Sequence, residues 1–380
     1  MHQDGPIPLV FAIDNMRYGG TELNAVRTAE RLDRRRFDLR VVCLDDRGPI
    51  ADRYRSMGVP VIRMAVSSLH GPSMLSTGWQ FARYLRKERV QIVHAHDMYS
   101  NVFATPWARA AGTPVVIASR RWWHTLPNRK LQLANAVAFR MAGAVLTNSA
   151  QVARSVREVE GVPEARVWTV TNFVDEEAFT PLPEDERARL RREWGVPAGA
   201  AVVGCVARLV PVKNHALLVE AFAELRRRNR AVHLVLIGDG ECRDALTAQV
   251  RALGIEHAVA FVGELRSGGN HHRAFDVSAL VSLSEGFPNT LIEAMAAGVP
   301  AVATAVGGSV DAVVDGVTGL LVPAERADAL TAALQRLVDD STLRESFGGA
   351  ARDRAWATYR AGAVVQSLES MYDALLARAA

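Results

Sequence analysis

The stretch LSEGFPNTLIEAMAAGVPAVAT (283–304) sets two carboxylates, Glu285 and Glu293, on either side of a proline turn. Glu285 ends an apolar run of strand type, and Pro288 and Asn289 make the turn. Asn289 is a good N-cap, so a helix is expected from Thr290, its free N–H groups suited to phosphate oxygens. Glu293 falls one turn in, among apolar neighbours. A carboxylate desolvated there needs donors, and ribose hydroxyls would supply them. Upstream, VARLVPVKNH places Arg208, Lys213 and Asn214 on one strand-to-helix turn. Two cations so placed can clamp a diphosphate and stabilise the charge that develops as it leaves. Lys213 is one of three lysines among 45 basic side chains, which favours a point charge at this position over a guanidinium fork. Solvated surface cations are the alternative. IGDGECRDAL (237–246) is another such turn, with Gly238, Asp239, Gly240 and Glu241. It resembles a DxD metal site but lacks a supporting carboxylate cluster, so it is expected to line a nucleotide site.

The first half carries three further groups. Gly19 and Gly20, in Asn15-Met-Arg-Tyr-Gly-Gly-Thr-Glu22, open a helix after the first strand, where bare backbone can approach an anion. They do not form the GxGxxG dinucleotide fingerprint. QIVHAH puts His94 and His96 two apart at a strand end, hence on one face, with Asp97 beside them. One is a candidate proton carrier, or both are ordinary strand-end histidines; no third ligand is spaced for a metal. ASRRWWHTLPNRK gathers Arg120, Arg121, Trp122, Trp123 and His124 after a strand. Arginines beside an indole pair suit a phosphorylated, lipid-bearing acceptor, single-stranded nucleic acid, or a plain core.

Short apolar runs alternate with amphipathic stretches from IPLVFAI (7–13) to AVLTNS (144–149), and again from VVGCVARL (202–209) to GLLVP (319–323). Such alternation means βαβ units, a parallel sheet and helices on both faces. The proline-rich, charge-dense segment 171–200 reads as the linker. The expected domains are 1–172 and 173–360, with residues 361–380 a helix returning to the first. Two such domains predict a ligand in the cleft at the carboxyl ends of their strands. Hydrophobic residues make up 49% and charged ones 23%, a globular composition. No apolar run is long enough to span a bilayer, the N-terminus lacks secretory-signal features, and Cys43, Cys205 and Cys242 are too scattered for a disulfide framework. A cytoplasmic protein is expected. Residues 1–172 carry a net +10 and the remainder −6. The split points to an anionic partner of the first half, or to an arginine-rich genome.

With these motifs together, the sequence resembles the retaining glycosyltransferases of family 4, of GT-B architecture. GGTE, HAHD, NFVDEEAFTP, VARLVPVKNHALLVEAF, LVLIGDGE and SEGFPNTLIEAMAAGVPAVAT carry the resemblance across nearly the whole chain. It implies a nucleotide-diphosphate sugar held mainly by the second domain, with UDP placed first and GDP next. Arg208 and Lys213 would be the diphosphate pair, Glu293 the ribose ligand and Glu285 a ligand of the donor sugar. Phe287, Pro288, Asn289, Thr290 and Leu291, with Asn214, Gly238 and Glu241, would line the donor. Gly19 and Gly20 would approach the diphosphate, and His96 would lie near the donor sugar. No metal or other cofactor is implied. The acceptor would be a glycan or lipid-linked hydroxyl in cell-envelope or exopolysaccharide synthesis, met by Arg120 to His124. Peripheral contact with an anionic membrane at its inner face goes with this reading, and no nucleic acid is expected. Ser119-Arg120-Arg121 stands where many relatives have a histidine, which leaves the acceptor class open. A GT-B sugar-nucleotide epimerase and a basic nucleic-acid binder are the alternatives.

Overall fold

The structure is a computed structural model that describes residues 5–66, 71–123, 128–265 and 270–380. The chain divides into two compact units. One runs to Asn172 and takes in Gly362–Ala380; the other is Phe173–Ala361.

The first unit holds strands β1 (Ile7–Asn15), β2 (Phe37–Asp45), β3 (Val61–Arg63), β4 (Ile92–Ala95), β5 (Val115–Arg120), β6 (Ala144–Thr147) and β7 (Val167–Thr169). All are parallel, in the order β3-β2-β1-β4-β5-β6-β7. β7 was not expected, because three residues after a 3-10 turn are too short to show a period. Between the strands run α1 (Gly20–Arg31), α2 (Ile50–Ser56), α3 (Pro72–Lys87), α4 (Met98–Ala111), α5 (Arg129–Met141) and α6 (Ala150–Glu158). Alternate strand residues divide between the two faces. Val10, Ala12, Val93, Ala95 and Val116 pack with Phe81 of α3 and Phe103 of α4. Phe11 and His94 point the other way and meet each other edge to face. The start of α4 is held by a capping box in which Asp97 and Ser100 satisfy each other's backbone N–H groups.

The second unit opens with α7 (Glu184–Glu193). Its sheet comprises β8 (Ala201–Val206), β9 (Val232–Ile237), β10 (Val259–Gly263), β11 (Val277–Leu280), β12 (Ala301–Thr304) and β13 (Gly319–Val322). The strands are again parallel, ordered β10-β9-β8-β11-β12-β13. Its further helices are α8 (His215–Arg228), α9 (Arg243–Ala252), α10 (Asn289–Ala296), α11 (Ser309–Ala312), α12 (Ala327–Asp339) and α13 (Ser341–Thr358). Leu218 and Phe222 of α8 and Leu330, Leu334 and Leu337 of α12 fill one face of the sheet. Leu291, Ile292 and Met295 of α10 pack with Ala351 and Ala355 of α13 on the other.

The last helix, α14 (Ala361–Ala379), docks on the first unit. Glu369 accepts a hydrogen bond from the Asp33 N–H at 2.9 Å and an ion pair from Arg36 at 2.7 Å, and Arg36 also reaches Asp373. Both units are doubly wound. Strand order reverses between β1 and β4 in one and between β8 and β11 in the other, and ligands gather at the carboxyl ends of strands at such points.

Candidate functional site

In the second unit, the loops after β8, β9, β11 and β12 converge at the point where strand order reverses. Lys213 lies in a 3-10 turn (Pro211–Lys213), and Asn214 takes the left-handed conformation (φ +50°) that starts α8. The Lys213 Nζ stands 2.5 Å from Glu285 Oε1, and Ser282 donates its hydroxyl to the same oxygen at 2.5 Å. The Glu285 side chain is 9% exposed, so the pair is largely withdrawn from water. Leu283 N–H donates to the Val212 carbonyl at 2.8 Å, which ties the two loops together beside the pair. Arg208 follows β8 and is exposed, with no ion pair among the described residues. The two expected cations thus sit on one loop, and the structure joins Lys213 to Glu285.

Two close approaches fix these loops. Gly238 has φ +138°, and a Cβ there would fall 2.0 Å from the Ala207 carbonyl oxygen, so only glycine lets the β9 loop lie on the β8 loop. Gly308, in the loop after β12, donates its N–H to the Glu285 carbonyl. A Cβ there would sit 2.2 Å from the Gly286 carbonyl oxygen. Gly308, Ser282 and His272 are parts of this site that sequence reasoning missed. The signal for Gly308 was present in ATAVGGSV, a paired glycine after a strand, as at Gly19 and Gly20.

Several expectations need correction. Asn289 is the first residue of α10, and its N-cap is Pro288, which offers no side-chain acceptor. Phe287 and Leu291 are buried in the core, Phe287 against Tyr359 at 5.5 Å. Their side chains are spent on packing, and only their backbone can meet a ligand. Glu293 is only partly desolvated: its side chain is 22% exposed. Its Oε2 lies 3.8 Å from His272 Nε2, but burial depresses the His272 pKa to about 3, so this contact is not an ion pair. Thr290 Oγ1 lies 3.4 Å from the same nitrogen. Glu241 is exposed beside Gly240. Among the described residues, no three His, Cys, Asp or Glu stand together as metal ligands.

In the first unit, His94 and His96 share a face as expected, their rings stacked 4.0 Å apart. Their surroundings differ. His94 has both nitrogens engaged, 2.7 Å from Tyr372 Oη and 2.9 Å from Ser119 Oγ. His96 is buried with no hydrogen-bond partner for either nitrogen among the described residues. Asp14, at the end of β1, accepts from the Ser100 and Tyr99 N–H groups at 2.6 and 3.1 Å. Burial, then the neighbouring Asp97 charge, pushes its pKa up to about 7. Gly19 caps α1 in extended conformation, and a Cβ on Gly20 would meet nothing. The fold therefore does not demand glycine at Gly20.

The basic–aromatic stretch splits by strand alternation. Arg120 turns toward α5 and α6, pairs with Glu160 at 3.1 Å and lies 4.6 Å over the Trp122 ring. Trp122 is buried in that cluster and Trp123 packs on it. Arg120 and Trp122 are therefore core elements, against the expectation of an acceptor contact. Arg121 points to the opposite face and donates to Asn24 and Asn172 at 3.0 and 3.2 Å. Burial draws its pKa down to about 10. His124 lies outside the described residues. A groove of about 690 Å³ opens nearby, lined by Asp14, Asn15, Asp45, Arg63, Tyr99 and Asn128 among others.

Residues 18–178 match the family model described as Glycosyltransferase Family 4, and residues 186–354 match Glycosyl transferases group 1. The GDP-mannose-dependent alpha-(1-6)-phosphatidylinositol monomannoside mannosyltransferase of Mycolicibacterium smegmatis is 32% identical over 65% of this chain and 67% of its own. The chain belongs to glycosyltransferase family 4. Another relative, the D-inositol 3-phosphate glycosyltransferase of Corynebacterium aurimucosum, is 35% identical over 61% of this chain. The match spans only 56% of that protein's length. Among solved structures, Anabaena HepE in complex with UDP superposes with a TM-score of 0.86 at 22% identity, covering 97% of this chain and all of that one. The family 4 chain thus has the GT-B fold, with two parallel-sheet α/β units and a helical C-terminus.

Proposed function

We propose that this family 4 chain is a retaining glycosyltransferase. It moves a hexose-type sugar from a nucleotide-diphosphate donor, UDP before GDP, to a hydroxyl of a glycan or lipid-linked acceptor in cell-envelope or exopolysaccharide synthesis. The observation that carries the reading is the Lys213–Glu285–Ser282 cluster where strand order reverses, on the same strand-to-helix loop as exposed Arg208. Lys213 and Arg208 offer positive charge to a departing diphosphate without a metal. Glu285 already accepts from Lys213 and Ser282, which suits it to bind a sugar hydroxyl rather than to attack carbon. Retention then proceeds on one face, the leaving diphosphate oxygen taking the acceptor proton. The Mycolicibacterium relative is named for GDP-mannose and HepE is bound to UDP, which supports the donor class.

Four measurements test this. Free UDP, GDP, ADP and their sugars are compared by thermal shift with and without EDTA. A diphosphate at 100 times its Kd stabilises the fold by about 2.7 kcal/mol. One nucleotide is expected to win, equally with EDTA, and a flat panel on folded protein overturns the donor reading. Product that forms without acceptor would mean an epimerase. Product NMR is expected to show the anomeric configuration of the donor. Strongly salt-dependent binding to DNA or RNA would favour a nucleic-acid binder instead.

A lipid-linked acceptor has its own support. α3, α4 and α5 pack side by side and contain no Asp or Glu. α3 exposes Leu75 and Trp79, α5 exposes Leu133, Val137 and Met141, and Arg83, Arg86, Arg129 and Lys130 accompany them. Apolar stripes among cations, free of acids, suit an anionic bilayer surface. The groove reaches the amino ends of all three helices, at Ser73, Tyr99 and Asn128. No helix among the described residues is long and apolar enough to cross a membrane. Leu133→Glu and Val137→Glu are each expected to weaken sedimentation with vesicles containing anionic lipid by about ten-fold. Unchanged sedimentation would remove the membrane from this reading.

A further inference from the structure

Among the described residues, His96 is the one member of the first unit's histidine pair with free ring nitrogens, and no hydrogen bond holds it. Its ring is fixed by packing alone, 4.4 Å from the Phe11 ring and stacked at 4.0 Å, 23° from parallel, on His94. His94 is held from both ends, by Ser119 on β5 and by Tyr372 on α14. Tyr372 is fully buried, its ring 5.6 Å from Phe37. Glu369 and Asp373, on either side of it in the helix, are tied to Arg36. Burial keeps His94 neutral and the Tyr372 phenol protonated, so the contact is a neutral hydrogen bond throughout the physiological range.

We infer that Tyr372 is a positioning residue for sugar transfer, which sets the orientation of His96 through the hydrogen-bonded ring of His94. The inference rests on the proposed role of His96 beside the donor sugar. With Tyr372 and Ser119 both in place, the His94 ring has one plane, and a ring stacked on it inherits that plane. Without the phenol hydroxyl, His94 Nδ1 is a buried nitrogen with no partner, and the ring turns or tilts to recover one. His96 then loses the flat surface that fixes it. Ser119 acts on the other nitrogen of the same ring, and its backbone is locked in turn by a two-way pair of hydrogen bonds with the Asn101 side chain.

The test uses the full chain with imidazole nitrogens labelled, His96 being assigned from a His96→Gln variant. Tyr372→Phe keeps the aromatic packing and removes only the hydroxyl. It is expected to shift or split the His96 ring resonances and to lower kcat about five-fold, with the donor KM within two-fold of wild type. Ser119→Ala is expected to perturb the same resonances and serves if Tyr372→Phe does not fold. Unchanged His96 resonances in a folded variant overturn the inference. Shifted resonances with unchanged kcat uphold the positioning of His96 and overturn its part in the proposed reaction.

Discussion

Replacing Lys213 with alanine is expected to lower kcat/KM by a factor on the order of 10²–10³, the usual cost of losing one preorganised charge contact to a transition state. Two effects combine. In the proposed reaction, the departing diphosphate would lose a cation that the 2.5 Å contact with Glu285 already holds in place. Glu285, nearly closed off from water, loses its counter-charge and, among the described residues, keeps only the Ser282 hydroxyl. Removing one partner of a buried pair destabilises because the other stays behind desolvated. The Lys213 side chain is 20% exposed, so water softens that cost to at most about 3 kcal/mol. Pairing Lys213→Ala with Glu285→Gln separates the effects: stability should recover in part, and turnover should not. Near-normal turnover by a folded Lys213→Ala protein, assayed well below its melting temperature, would show that the cation has no part in the chemistry.

Gly308→Ala is expected to lower kcat/KM by about 10²-fold while adding a single methyl group. That methyl meets the Gly286 carbonyl oxygen at 2.2 Å and the Phe287 Cα at 2.9 Å, both backbone atoms with no rotamer to give way. The Glu285–Phe287 loop must therefore move by a substantial fraction of an ångström, and displacements of about 1 Å in a catalytic constellation cost rates of that order. Overpacking should also take about 1–3 kcal/mol from stability. The variant is to be assayed for donor affinity and turnover beside its melting curve. Wild-type kcat/KM would mean that the loop carrying Glu285 need not hold its position.

The strands and their alternation were legible in the sequence because a buried parallel strand is a nearly continuous apolar run. The turns that carry Lys213, Gly238 and Glu285 were legible for a related reason: turn positions follow directly from strand positions. What lay hidden depended on contacts between distant residues. No local spacing relates Lys213 to Glu285, so their pairing emerges only when β8 and β11 lie side by side. Arg120 and Arg121 look alike in sequence, yet alternation at the end of β5 sends one into the core with Glu160 and the other toward Asn24. Trp122 and Trp123 could be read as a ligand-facing pair or as core, because the cluster that decides between them comes from α5 and α6. The exposed stripes of α3 and α5 were open to a helical-period reading, but their significance depends on which helix faces neighbouring elements leave uncovered.

Tyr372 reaches His94 from a helix that follows the whole second unit along the chain. During synthesis the seven-stranded sheet therefore leaves the ribosome first and is completed last. Through the time needed to translate nearly two hundred further residues, the face carrying His94 lacks its cover, and Phe37 stays without the aromatic ring that packs on it. A nascent chain released early would carry the first unit's sheet without the helix that brings Tyr372 to His94. Assembly is thus ordered so that His94 gains its Tyr372 partner only once the second unit has been made.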